Sequence, residues 1–205
     1  MSPEATPSGR WAGSEDVSAP AAVVQLLGYP GTGKYTVARE LVAAMEAAGR
    51  PARLLDNHAS ANLILSLVPT PTSGISDPVM DRIVEVRDAV LATLEELTPR
   101  EWSIVFTNFP PTSDRARALE RHREVAASRG APFVPVLLEC DPDEILRRVV
   151  APERAARHKL VDPERMKEIL ADDVPRPPWD DIHRLDVTSL RASESARRIL
   201  EMLPG

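Results

Sequence analysis

An α/β fold, with a parallel five-stranded sheet carrying helices on both faces, is what this sequence predicts, and three observations carry that expectation. Short apolar runs alternate with amphipathic helical stretches along most of the chain. The first run, beginning at Val23, breaks into a loop with glycines at 28, 31 and 33 and passes straight into a helix. Neither an internal repeat nor a second domain is visible, and 205 residues suit one domain with a real core.

Each element has its own local justification. Residues 34–48 place Val37, Leu41, Ala44, Met45 and Ala48 on one helical face, and Gly49 with Pro51 stops the helix. Residues 52–55 are a short apolar strand ending at Asp56-Asn57-His58, after which Ala61, Leu63, Ile64, Leu65, Leu67 and Val68 suggest a second helix. A loop rich in Pro, Thr and Ser fills 69–78. A long helix over 79–97 carries the stripe Met80, Ile83, Val84, Val90, Leu91, Leu94, Leu97. Strand 103–107 runs into Asn108-Phe109-Pro110-Pro111, and a charged helix over 113–129 shows a narrow apolar face of Ala118, Leu119, Val125 and Ala126 that includes His122, read as a packing histidine. Strand 134–139 precedes Asp141-Pro142-Asp143-Glu144, which opens a helix with a capping residue, a first-turn proline and acids at the positive end of the dipole. An arginine-dense segment at 147–159, a short helix at 163–173, a stiff linker at 175–179, a last strand at 183–187 and a closing helix at 192–203 complete the chain. Ligands of such a sheet bind at the carboxyl ends of the strands.

Composition narrows the function classes. A net charge of −6 argues against a nucleic-acid binder held by a basic surface. One cysteine, Cys140, excludes an intrachain disulfide framework and fits a reducing, cytoplasmic compartment. No apolar run approaches the ~20 residues of a membrane span. Residues 1–20 read as a disordered tail without the basic start and apolar core of a signal peptide, leaving 21–205 as the domain.

Gly28-x4-Gly33-Lys34 has the spacing of a phosphate loop (the Walker A pattern). Polyphosphate needs several backbone N–H donors converging on it, and glycines let the chain wrap that closely. Lys34 then reaches the β- and γ-phosphates. All but three of the basic residues are arginine, so the lysine retained here points to a task arginine would not serve. Tyr35 stands where Ser or Thr should hold magnesium, and Thr36 follows one residue late.

These motifs resemble the P-loop small-molecule kinases that include adenylate, shikimate and gluconate kinases. The resemblance rests on Gly28 to Lys34, on Thr107-Asn108-Phe109-Pro110, which is similar to the Asp-Gly-Phe-Pro segment of adenylate kinases, and on the arginine-bearing stretch from Arg147 to Lys159, similar to their lid. It implies the P-loop NTPase strand order 2-3-1-4-5, ATP as donor with Mg2+, a small-molecule acceptor bound near the end of strand two, and a lid near 147–162. Gly28, Gly31, Thr32, Gly33, Lys34, Tyr35 and Thr36 would hold the nucleotide, with Arg148 and, by position only, Thr188. Asp56 would orient or deprotonate the acceptor hydroxyl, and Thr36 and Asp56 would serve the metal. Arg148, Arg154 and Arg157, with Lys159, would bring positive charge to the transferred phosphoryl group. Asn57, His58 and Asn108 would contact the acceptor. Thr107 and Asn108 stand where many relatives have an aspartate, and Glu139 or Asp141 could substitute for it, capping being the stronger reading for Asp141.

Arg87 falls near the centre of the long helix's apolar stripe, where an unpaired guanidinium is costly. Three readings stand: it holds an acceptor's anionic group, it forms an ion pair with Asp56 or Glu139, or it snorkels outward. The function expected is an ATP-dependent phosphotransferase, monomeric or homodimeric, with an ATP-binding regulator as the alternative. A GTPase is disfavoured, because none of the three lysines is preceded by Asn or Thr as the guanine motif requires.

Overall fold

The apolar runs become strands of one sheet. The computed structural model describes residues 20–69, 75–110, 116–151, 160–171 and 179–204. In chain order the elements are β1 (Val23–Leu27), α1 (Lys34–Ala47), β2 (Ala52–Asp56), α2 (Asn57–Leu65), α3 (Asp77–Glu96), β3 (Ser103–Asn108), α4 (Ala116–Ser128), β4 (Phe133–Glu139), α5 (Pro142–Val149), α6 (Pro163–Ala171), β5 (His183–Asp186) and α7 (Ala192–Leu200). The order across the sheet is β2-β3-β1-β4-β5 and each pairing is parallel. Parallel neighbours need crossovers, and helices supply them here, which is why both faces are covered.

β1 lies at the centre and is buried along its whole length. Strand alternation sends Val24 and Leu26 to the face where Leu41 and Met45 of α1 and Ile199 of α7 close over them. Val23 goes to the opposite face, beneath Leu91 and Leu94 of α3 and Val125 of α4, and Leu27 continues that face beside Leu119 and Trp179. Burying a side chain of this size contributes ~2 kcal/mol. Gln25 interrupts the run as a polar residue with 0% exposure.

Helix ends follow their local chemistry. Asp141 accepts from the N–H groups of Asp143 (2.9 Å) and Glu144 (3.4 Å), so it caps α5 as expected. Several limits differ from the sequence expectation. The second helix ends at Leu65 with no buried residue, and Leu67, expected on its apolar face, is 79% exposed. The outer members of the expected α3 stripe, Val84 and Leu97, are also exposed, because the buried line of that helix is Ile83, Leu91 and Leu94. The closing helix stops at Leu200, and Leu203 is buried from the turn that follows it. Strand three gains Asn108, whose pairing with Leu27 extends the ladder by one residue. At the start of the described residues the Pro20 carbonyl accepts from Arg50 Nη2 at 2.6 Å. Residues 1–19, and Arg154, Arg157 and Lys159 of the expected lid, lie outside the described residues. No helix among the described residues is long and apolar enough to cross a membrane.

Candidate active site

The carboxyl ends of β1, β2 and β3 meet at one edge of the sheet, where Leu27 pairs with Asn108 and Asp56 with Thr107. A cleft of about 550 Å3 opens over that edge. Its walls include Gly31, Gly33, Lys34, Tyr35 and Thr36 on one side and Asp56, Asn57, His58 and Asn108 on the other. Residues 31 to 108, spread over 78 positions of sequence, are thereby brought to one place.

The loop is shaped by its own chemistry. Gly31 has φ 95°, and a Cβ there would stand 3.0 Å from both Cγ2 and the carbonyl oxygen of Ile145, so only glycine fits. Gly33 ends the loop in the left-handed region at φ 89° and starts α1 with no side-chain cap and no acid in the first turn. The positive end of the helix dipole is thus left for an anion in the cleft. Thr32 is turned inward, its hydroxyl donating to Tyr29 O at 2.9 Å, so its part is to hold the loop's shape. Lys34 Nζ donates to Gly28 O at 2.5 Å and to Tyr29 O at 2.8 Å.

Across the cleft Thr107 Oγ1 donates to Asp56 Oδ1 at 2.6 Å. The hydroxyl at the end of β3 therefore fixes the carboxylate at the end of β2. Neither Glu139 nor Asp141 is part of the cleft wall: Glu139 pairs with Arg184 at 2.5 Å and Asp141 caps α5. Thr36 lines the cleft one turn position beyond the bulky Tyr35. No group of three or more His, Cys, Asp or Glu side chains suited to a metal occurs among the described residues.

Arg148 belongs to α5 and is tethered there. Its Nε donates to Glu144 Oε1 at 2.6 Å and its Nη2 to Thr188 O at 2.8 Å. Arg147 and Arg148 together hold the Glu144 carboxyl at about 2, below the usual carboxylate range. Arg148 lines the cleft and also ties α5 to the segment after β5. Thr188 is not part of the cleft wall; its hydroxyl accepts from Asp141 N at 2.9 Å.

Arg87 lies in line with the buried Ile83 and Leu91, and of its three readings the ion pair with Asp56 or Glu139 does not form: no salt bridge of Arg87 is present among the described residues, and Glu139 is taken by Arg184. Burial pushes its guanidinium below the ordinary pKa, partly offset by Asp88. It lines a small cavity of about 50 Å3 with Asp56, Asn57, Ser60, Asn108 and His122. That cavity adjoins the large cleft, since Asp56, Asn57 and Asn108 line both.

Two residues at this edge escape a reading of the sequence by motif. Gln25 Nε2 donates to Asn108 Oδ1 at 3.0 Å, and Gln25 Oε1 lies 2.6 Å from His122 Nδ1. His122 is stacked on Phe106, centroids 4.0 Å apart, and burial first, then the charges of Arg87 and Arg121, lowers its pKa to about 3. The signal available was a lone glutamine inside the apolar run of β1.

A family model described as an AAA domain matches residues 23–172. No curated protein matches the sequence. Among solved structures, the chain is similar to the Mycobacterium tuberculosis APS kinase in complex with AMPPNP and APS at 22% identity, covering 90% of this chain and 98% of that one with a TM-score of 0.59. It is also similar to a gluconokinase from Sinorhizobium meliloti, at 16% identity over 89% and 90% of the two chains with a TM-score of 0.53. The Deinococcus radiodurans tunicamycin resistance protein matches at 16% identity over 89% and 95%, TM-score 0.52. These likenesses show the fold, a five-stranded parallel sheet of the P-loop NTPase type.

Proposed function

Because the chain belongs to the AAA domain family, with the fold of P-loop small-molecule kinases, we propose that it is an ATP-dependent phosphotransferase that moves the γ-phosphate to a small-molecule acceptor bearing an anionic group. One observation carries the reading: a single cleft is lined by the phosphate loop, Gly31 to Thr36, and by Asp56 and Asn108 opposite. Phosphoryl transfer asks for an anion cradle and an acceptor-orienting group in one water-poor space, and little covalent chemistry beyond that.

In this reading the N–H groups at the start of α1 and the Lys34 ammonium hold the phosphates. Asp56, fixed by Thr107, accepts a hydrogen bond from the acceptor hydroxyl and takes its proton as the new P–O bond forms. Arg87 meets the acceptor's anionic group from the adjoining cavity, where Asn57 and Ser60 offer further polar contacts. Arg154 and Arg157 are assigned to the developing charge on the transferred group, and Arg148 to the nucleotide side. Oxygen donors suit magnesium, and both the Thr36 hydroxyl and the Asp56 carboxylate line the cleft, so the residues fit such an ion. Bound there with the nucleotide, Mg2+ would neutralise charge on the β- and γ-oxygens.

Calorimetric titration with ATP and ADP, with and without Mg2+, followed by an acceptor screen read as ADP release, tests the proposal. Acceptor-dependent release confined to hydroxyl compounds carrying carboxylate or phosphate is the expected result. Tight ATP binding with slow, acceptor-independent loss would replace it with an ATP-binding regulator.

A further inference from the structure

Asn108 has two faces, and the interior of the protein decides which one meets the cleft. Its Oδ1 accepts from Gln25 Nε2 at 3.0 Å, and no described residue accepts from its Nδ2. The assignment is set by Gln25, which is 0% exposed and must satisfy its amide internally. Gln25 Nε2 also points at Leu26 O, 3.4 Å away, and turning the amide over would set two oxygens against each other. With Nε2 so placed, Gln25 Oε1 faces His122 Nδ1 at 2.6 Å and needs a proton from it. His122 is 3% exposed and stacked on Phe106, with ring planes 2° apart, and Nδ1 is the ring nitrogen it presents to Gln25.

We propose that Gln25 and His122 are positioning residues that hold Asn108 with its amide N–H groups toward the cleft, so that Asn108 donates to an anionic oxygen of the bound phosphates. This rests on the phosphotransferase reading for the identity of the ligand, but the orientation itself does not. At this place in the site an acid would accept hydrogen bonds and repel phosphate, whereas a fixed N–H pair attracts it and costs no reorganisation at the moment of transfer. Acceptor chemistry is then left to the Asp56–Thr107 pair on the neighbouring strands.

Two measurements test this. Nitrogen-15 spectra of His122 in the ligand-free protein are expected to show a neutral ring protonated at Nδ1; a ring protonated at Nε2 would mean the reversed chain of amides and overturns the proposal whether or not the protein transfers phosphate. In the second, Asn108→Asp is titrated with ATP, with and without Mg2+. Affinity is expected to fall about tenfold or more under both conditions, as a charge-assisted hydrogen bond gives way to repulsion. Stronger binding that requires Mg2+, or unchanged binding, would make residue 108 a metal-water position or a bystander and overturns the assignment. His122→Phe, which keeps the stacking surface, is expected to reproduce part of the affinity loss while Asn108 is intact. If the wild type binds ATP but never transfers phosphate, the function proposed above fails while the spectra and titrations still decide this one.

Discussion

Lys34 donates to two carbonyls of its own loop, which makes it a brace as well as a charge. Lys34→Ala therefore releases those carbonyls and costs ~1 kcal/mol of stability, while ATP affinity falls by about 100-fold or more. Calorimetry and thermal melting on the same sample separate the two effects, and unchanged ATP affinity would remove the loop from the mechanism. Asp56 is held by Thr107, so Asp56→Asn keeps a group of the same shape in the same place and removes only its basicity. Turnover is expected to drop by roughly 100-fold with ATP affinity nearly unchanged, since general base catalysis contributes on that scale; parallel losses in both would assign Asp56 to the nucleotide and its metal. Arg87 offers a planar fork to the small cavity, and Arg87→Lys retains the charge but not the fork. The Michaelis constant for the acceptor should rise about tenfold with ATP affinity spared. A collapse in melting temperature without an acceptor effect would instead mark Arg87 as a packing residue.

At the scale of elements, the junction between α3 and β3 depends on a guanidinium contributed from the end of α4. Arg129, 4% exposed, donates from Nη1 to Leu94 O (2.6 Å) and Thr98 O (3.2 Å) and from Nη2 to Pro99 O (2.7 Å) and Trp102 O (2.9 Å). The carbonyls at a helix C-terminus carry its negative end, so a buried cation is welcome there. Arg129→Met fills the space but leaves several carbonyls without donors. We expect a loss of about 3 kcal/mol, or roughly 6 to 12 °C in melting temperature. A shift within experimental scatter would mean that water replaces the guanidinium without penalty. The site, which lies at the opposite ends of the strands, should keep its ATP affinity in this variant.

For the whole molecule, the buried His122 links stability to pH. Its folded pKa, about 3, lies below the ordinary value of 6.5. Between those values the unfolded chain binds a proton that the folded chain refuses, so the stability contribution is complete above pH 6.5 and is lost as pH falls toward 3. The slope from this one group is ~1.4 kcal/mol per pH unit. Urea unfolding across that window is expected to show His122→Phe with a slope shallower by this amount than the wild type; identical slopes would mean that the imidazole is charged in the fold. Glu144, held low by Arg147 and Arg148, acts in the same direction, its contribution complete above the ordinary 4.5 and lost as pH falls from there toward its folded value of about 2.

The sequence by itself determined the strand count, the helix between each pair, and the place of the phosphate loop, because those signals are local. Period, capping at Asp141 and glycine spacing from 28 to 33 all act within a few residues. It also located Asp56 and Asn108 at strand ends and Arg87 in a buried line. Their partners came only with the tertiary structure. Thr107 reaches Asp56 across 51 residues, Gln25 reaches Asn108 across 83, and His122 reaches Gln25 across 97. Arg148 is likewise tied to the carbonyls after β5, 39 and 40 residues away. Which of several polar groups a buried side chain meets depends on strand register and on the side chains facing it across the sheet. Neither has a local signature, whereas each local signal here states only that a residue is buried or at an end.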